Sequence, residues 1–122
     1  MSRKVLIAED EPSIVTSLEF LLQSNAYEVR VARDGEEAVR LAEAFVPDLV
    51  LLDVMMPMKN GFEVCRTIRL NPALVDTKIL MLTARGREAE RDQGLGAGAD
   101  GYMTKPFSTK DLLASVKGLL RE

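Results

Sequence analysis

The stretch Pro47-Asp-Leu-Val-Leu-Leu-Asp53 decides the fold of this 122-residue chain. Residues 49–52 are apolar without interruption, which is typical of a parallel strand covered on both faces of its sheet. Residues 79–82 form a second unbroken run, and further short runs lie at residues 4–8, 29–32 and, more weakly, 100–103. Polar or turn residues bound each run, so the sequence predicts five short strands.

Stretches with the helical spacing of apolar residues separate these runs. Four of the predicted helices have a start signal, a first-turn proline or a capping side chain, at Pro12, Asp34, Asn60 and Ser108. Residues 86–93 contain a single alanine among polar residues and glycine, so the fourth helix is expected there to be marginal and mobile. Strands that alternate with helices predict an α/β protein with a parallel sheet and right-handed crossovers.

The composition excludes several classes of function. A net charge of −3 argues against direct nucleic-acid binding, and no basic cluster would hold the chain to a membrane. With no histidine, the chain cannot build a histidine-based triad or a histidine-ligated zinc site, so any metal is expected on oxygen ligands. The single cysteine, Cys65, cannot form a disulfide within the chain, which fits a reducing compartment such as the cytoplasm.

Chemically active side chains follow the predicted strands. They are Glu9, Asp10, Asp53, Thr83 and Lys105. Because the carboxyl ends of parallel strands meet at one edge of a sheet, these side chains are expected to converge there. Clustered carboxylates repel one another, and Mg2+ relieves that repulsion with a shell of oxygen ligands. A lysine and a hydroxyl beside a metal-bound carboxylate point to a phosphoryl group, with Asp53 as the nucleophile that forms an acyl phosphate.

The chain resembles the receiver domain of two-component response regulators over nearly its whole length. The matching stretches are Val5-Leu-Ile-Ala-Glu-Asp-Glu-Pro12, Pro47-Asp-Leu-Val-Leu-Leu-Asp53, Met56-Pro57 with Gly61, Leu82-Thr83-Ala84, and Gly101-Tyr-Met-Thr-Lys-Pro-Phe107. The resemblance implies a flavodoxin-like, doubly wound (βα)5 three-layer sandwich with a five-stranded parallel sheet in the order 2-1-3-4-5. It also implies one receiver domain over residues 1–122 with no output domain in the chain.

The resemblance assigns a role to each site residue. Asp53 is the phosphoacceptor, Lys105 pairs with the phosphoryl group through a lysine–proline bond expected to be cis, and Thr83 and Tyr102 form the switch pair. The metal, Mg2+ or in its place Mn2+, is expected on Asp10, Asp53 and the backbone carbonyl of Met55, with Glu9 acting through a water. Position 9 departs from the family, because most members carry aspartate there.

The function implied is that of a phosphoacceptor switch and not of an enzyme with an external substrate. The expected partners are a sensor histidine kinase or histidine phosphotransfer protein, then a downstream target or output domain. Phosphorylation would reshape the face formed by the fourth helix, fifth strand and fifth helix, and could drive dimerisation through it. Two alternatives are a phosphatase or phosphotransferase for a diffusible substrate, and a degenerate receiver that only binds proteins.

Overall fold

The computed structural model of the chain describes residues 3–84 and 91–122. Its five parallel strands form one sheet in the order β2-β1-β3-β4-β5, with bounds β1 (Lys4–Ala8), β2 (Glu28–Ala32), β3 (Leu49–Asp53), β4 (Lys78–Ala84) and β5 (Gly101–Lys105). The helices are α1 (Pro12–Ser24), α2 (Gly35–Phe45), α3 (Gly61–Arg69), α4 (Arg91–Gly96) and α5 (Thr109–Leu120), with a 3-10 turn at Pro72–Leu74. The predicted flavodoxin-like fold and strand order are confirmed.

The last three strands extend further toward their carboxyl ends than their runs of apolar residues predicted. β4 continues to Ala84, and β5 spans Gly101–Lys105 where residues 100–103 were expected. Thr83 pairs with Thr104, and Ala84 with Lys105, so backbone hydrogen bonding carries polar residues along with the strand. The prediction that Lys105 follows its strand was therefore wrong, because this lysine is the last residue of β5.

The sheet is covered by helices on both faces, and β3 is buried along its whole length. Val50 and Leu52 belong to a core cluster that also holds α2 and α3 side chains such as Ala42 and Ile68. Residues 49 and 51 belong to a second cluster with side chains of α1 and α5. This burial on both faces explains why residues 49–52 include no polar residue that would face water.

Capping side chains fix where three helices begin. Asn60 accepts a hydrogen bond from the Glu63 amide, and Glu63 reaches back to the Asn60 amide, which is a complete capping box. Ser108 caps α5 by accepting a hydrogen bond from the amide of Asp111. Asp34 caps α2, but the Glu37 carboxylate accepts from the amide of residue 33 instead of that of Asp34, so the reciprocal box is not formed there.

The fourth helix ends further along the chain than predicted. Most of the predicted range, residues 86–93, falls outside the described residues, and α4 continues to Gly96. Its Gly94 lies close to Met81 and Phe62, where an added Cβ would stand 3.5 Å and 3.6 Å from their side chains. Close backbone packing, which the apolar letters do not reveal, keeps this glycine-containing segment on the core. Within residues 3–84 and 91–122, no helix has the length and apolar character to cross a bilayer.

Candidate active site at the carboxyl edge of the sheet

Strand register brings the predicted site residues to one edge. Ala8 pairs with Leu52, so the next residues, Glu9 and Asp53, leave neighbouring strands side by side. Asp53 pairs in turn with Leu82, the residue before Thr83, and Lys105 ends the strand on the far side of β4. The expected convergence of these residues is thus a consequence of parallel pairing.

Three carboxylates form a compact acidic cluster at this edge. One oxygen from each of Glu9, Asp10 and Asp53 lies within 4.8 Å of the others. Glu9 is 1% exposed and Asp53 5%, whereas Asp10 faces solvent. Oxygen donors that are crowded, partly buried and open to water on one side fit a hard divalent cation such as Mg2+.

Lys105 supplies the positive charge within the cluster. Its ammonium lies 2.9 Å from Glu9 Oε2 and 3.2 Å from Glu9 Oε1, and 3.4 Å from Asp53 Oδ1. Its side chain is 17% exposed, so solvent screens these contacts less than it would at the surface. The closer partner of the lysine is therefore Glu9 and not the predicted phosphoacceptor.

The pKa values of the site report how strongly the charges act on one another. The pKa of Glu9 is raised to about 7, chiefly by burial and also by the nearby Asp53 charge, with Lys105 opposing both. Burial also raises the pKa of Asp53, against the charge of Lys105. Burial alone would lower the pKa of Lys105, but the hydrogen bond to Glu9 and the charge of Asp53 make the net shift upward. The carboxylates thus resist ionisation and hold the lysine charged.

The loop after β3 closes tightly around Asp53. Asp53 Oδ1 accepts from the Met55 amide at 3.3 Å, and the Gly61 amide donates to the Val54 carbonyl at 2.8 Å. A Cβ on Gly61 would stand 2.6 Å from the Asp53 carbonyl oxygen, so only glycine permits this approach. The Met55 side chain is 55% exposed at the rim of the site.

The residues predicted as the switch pair lie on adjacent strands. Thr83 is fully buried on β4, and Tyr102 on β5 is half-buried against the core cluster that includes Met81. The Lys105–Pro106 bond is cis, as the resemblance to receiver domains implied.

Comparison with known proteins now identifies the family. The profile described as the response regulator receiver domain matches residues 5–117. The chain belongs to the response regulator receiver domain family. This receiver domain is 48% identical over 121 residues to the alkaline phosphatase synthesis transcriptional regulatory protein PhoP of Bacillus subtilis, covering 99% of this chain and 50% of the relative. It therefore spans about half the length of that curated relative.

Solved structures agree along the entire chain. A putative response regulator from Chloroflexus aurantiacus superposes with a TM-score of 0.94 at 35% identity, covering 100% of both chains. The receiver domain of a Pseudomonas aeruginosa sensor histidine kinase, which has a magnesium ion in its active-site cleft, gives a TM-score of 0.91 at 31% identity and covers 100% of both. The receiver domain is accordingly a phosphoryl-transfer signalling switch of the two-component type.

Sequence reasoning missed the pairing of Glu9 with Lys105. These residues follow β1 and end β5, which are three places apart in the sheet, or roughly 14 Å at ordinary strand spacing. Two long side chains are needed to meet across that span. Opposite charges on two long side chains at one edge were the available signal.

Proposed function

We propose that this receiver domain accepts a phosphoryl group on Asp53 from a histidine of a partner kinase or phosphotransfer protein. The observation that carries the proposal is the acidic cluster within 4.8 Å together with a lysine ammonium 3.4 Å from the buried Asp53 carboxylate. The donor histidine belongs to the partner, since this chain has none.

In the proposed reaction, an Asp53 oxygen attacks phosphorus in line with the leaving imidazole nitrogen. The new phosphorus–oxygen bond forms as the phosphorus–nitrogen bond breaks, and the imidazole nitrogen then takes a proton from solvent. Lys105 stabilises the negative charge on the equatorial oxygens, and the Thr83 hydroxyl donates to one of them. The partial burial of Asp53 strengthens these electrostatic contacts.

The proposed metal ligands are Asp10, Asp53 and the Met55 carbonyl, with Glu9 acting through a water. Mg2+, or Mn2+ in its place, would supply charge neutralisation for the phosphoryl oxygens. The oxygen-only donor set and the raised pKa values of Glu9 and Asp53 support a divalent cation here, because a cation favours the ionised carboxylates.

The proposed readout is a change of the face formed by α4, β5 and α5. Thr83 would move toward the phosphoryl group, and Tyr102 would turn into the space beside β4. The altered face would then bind a downstream protein or output domain, or pair with a second copy of the chain. Phosphorylation shifts such an equilibrium only as far as it stabilises one conformation over the other.

The experiment that tests the phosphoacceptor is an intact mass after incubation with a small phosphodonor and Mg2+. Wild type should gain one phosphoryl group, and both Asp53→Asn and a chelated sample should gain none. Asp48→Asn is the matched control, because Asp48 immediately precedes the strand that Asp53 ends. An unmodified wild type with an intact fold would indicate a receiver that signals without phosphate.

We also propose that the receiver domain catalyses its own phosphorylation and dephosphorylation, in the cytoplasm, without turning over an external substrate. Its described site has the acceptor and charge-stabilising groups but no histidine to serve as an acid or base. Steady release of phosphate from a small phosphate ester, beyond one equivalent of protein, would contradict this.

A further inference from the structure

The Lys105 ammonium lies between two carboxylates but is not shared equally. Contacts of 2.9 Å and 3.2 Å join it to Glu9, against 3.4 Å to Asp53. Hydrogen bonds between charged nitrogen and oxygen are strongest at about 2.7–2.9 Å. The stronger attachment of the lysine is therefore to Glu9.

The Glu9 carboxylate is itself held in place. It is 1% exposed, and its Oε1 accepts from the Glu11 amide at 3.3 Å. A buried carboxylate with a backbone contact has few alternative rotamers, so the ammonium that it binds is fixed as well.

We propose that Glu9 is the positioning residue of Lys105, accepting its two shortest contacts and so holding the ammonium back from Asp53. An aspartate here would be shorter by one carbon–carbon bond, about 1.5 Å, and could not keep both contacts without a shift of Lys105. The inference rests on the proposed function for the role of Asp53 as phosphoacceptor. The contact between Glu9 and Lys105 does not depend on that role.

The contact between Glu9 and Lys105 links the position of the lysine to the carboxylates of the proposed metal site. A cation that Glu9 holds through a water would occupy one acceptor site of the carboxylate and place a second positive charge near Lys105. Cation binding is therefore expected to transfer the ammonium toward Asp53, where an arriving phosphoryl group would need it.

The test is nuclear magnetic resonance on the full chain with 15N-labelled lysine and 13C-labelled carboxylates. Scalar coupling across the hydrogen bond identifies which carboxylate Lys105 Nζ donates to, and Lys105→Arg identifies the lysine signal by its loss. The variants are Glu9→Asp, which shortens the arm, and Glu9→Gln, which keeps its length without the charge. Glu11→Asp is the matched control, because its exposed carboxylate accepts from Ser13 in the first turn of α1.

With chelator present, wild type and Glu11→Asp should couple Lys105 to Glu9. Glu9→Asp should lose that coupling and show a more mobile ammonium, and Glu9→Gln should weaken it. Added Mg2+ should reduce the wild-type coupling and shift the Lys105 signal. Coupling of wild-type Lys105 to Asp53 alone, or Glu9 variants with an unchanged Lys105 signal, would overturn the proposal. Wild type decides the matter even if both variants unfold, and failure of phosphoryl uptake in the mass experiment would leave the coupling result standing.

Discussion

The two ends of the sheet carry the same kinds of charge in opposite arrangements. At the amino ends of the strands, cations and carboxylates form pairs, with 3.9 Å between Arg3 and Asp48 and 2.5 Å between Arg69 and Asp100. At the carboxyl ends, the acidic cluster of three carboxylates is contacted by the single ammonium of Lys105, within the part of the chain that the structure describes.

Arg69 shows how completely charge is matched at the amino end. Its guanidinium donates to the Gly98 and Thr77 carbonyls at 2.8 Å and 2.7 Å as well as to Asp100. Asp100 also accepts from the Ile79 amide at 2.8 Å. This network ties the end of α3 to the start of both β4 and β5.

The difference in charge pairing suggests separate roles, stability for the amino end of the sheet and the proposed chemistry for its carboxyl end. The amino-end pairs retain solvent, with side chains 46% and 37% exposed for Arg3 and Asp48, whereas those of Glu9 and Asp53 are 1% and 7% exposed. Buried like charges with too few partners disfavour their own ionised state and favour an incoming cation. The unbalanced charge is the physical basis of the reactivity that we propose for this site.

The largest expected effect is on the rate of phosphorylation, which should depend on Lys105 at the carboxyl end and not on Lys4 at the amino end. Lys105→Ala should slow phosphorylation by a small phosphodonor by about 100-fold or more, since one charge-stabilising donor is lost. Lys4→Ala is the matched control, because Lys4 Nζ donates to the Phe45 carbonyl at 2.7 Å at the other end. Time courses of intact mass measure both rates. Equal rates for the two variants would break the comparison.

The next effect is on stability at the amino end. Arg69→Ala should lower the free energy of unfolding by about 2–3 kcal/mol, because two carbonyls lose their Arg69 donor and Asp100 loses its ion-pair partner. Urea titration with an unchanged m-value measures the loss. Arg66→Ala, an exposed arginine in the same last turn of α3, should cost less than about 0.5 kcal/mol. Similar losses of unfolding free energy in both variants would show that the Arg69 network does not stabilise the fold.

The pH dependence should come from the carboxyl end. The pKa of Glu9 is about 7 in the folded protein, whereas the ordinary value of 4.5 applies to the unfolded chain. The stabilisation is therefore complete below about pH 4.5 and is lost as the pH rises through 7. Between pH 5 and 8, chelated wild type should lose on the order of 2 kcal/mol of unfolding free energy relative to Glu9→Gln. A constant difference between the two proteins would contradict this assignment.

The smallest effects are changes in stability of opposite sign for the two aspartates at either end of β3. Asp53→Asn should raise the free energy of unfolding by about 1 kcal/mol, because it relieves repulsion with the other acids. Asp48→Asn should lower it by about 1 kcal/mol, because Asp48 accepts from the Lys4 amide at 2.7 Å. Thermal unfolding of both variants with chelator present checks the signs. A lower unfolding free energy in both variants would show that favourable pairing, and not repulsion, sets the contribution of each aspartate to stability.

Much of the fold and the site could be predicted because the relevant signals are local. The apolar run at residues 49–52 predicts a strand buried on both faces, as observed. The capping residues Asn60 and Ser108 predict two helices, which begin where expected. Asp53 and Thr83 could be expected at one edge because strand ends in a parallel sheet lie together. Strand lengths were underestimated, since hydrogen bonding to a neighbour extends a strand through polar residues such as Thr104 and Lys105.

The sequence by itself determined the alternation of strands and helices, the acids at the carboxyl edge and the absence of histidine. These follow from the periodicity and chemistry of neighbouring residues, which need no knowledge of distant contacts. Only the tertiary structure decided that Lys105 donates to Glu9, 96 positions away, more closely than to Asp53. The physical reason is that side-chain length, burial and strand order together set which charges meet, and no local pattern encodes all three.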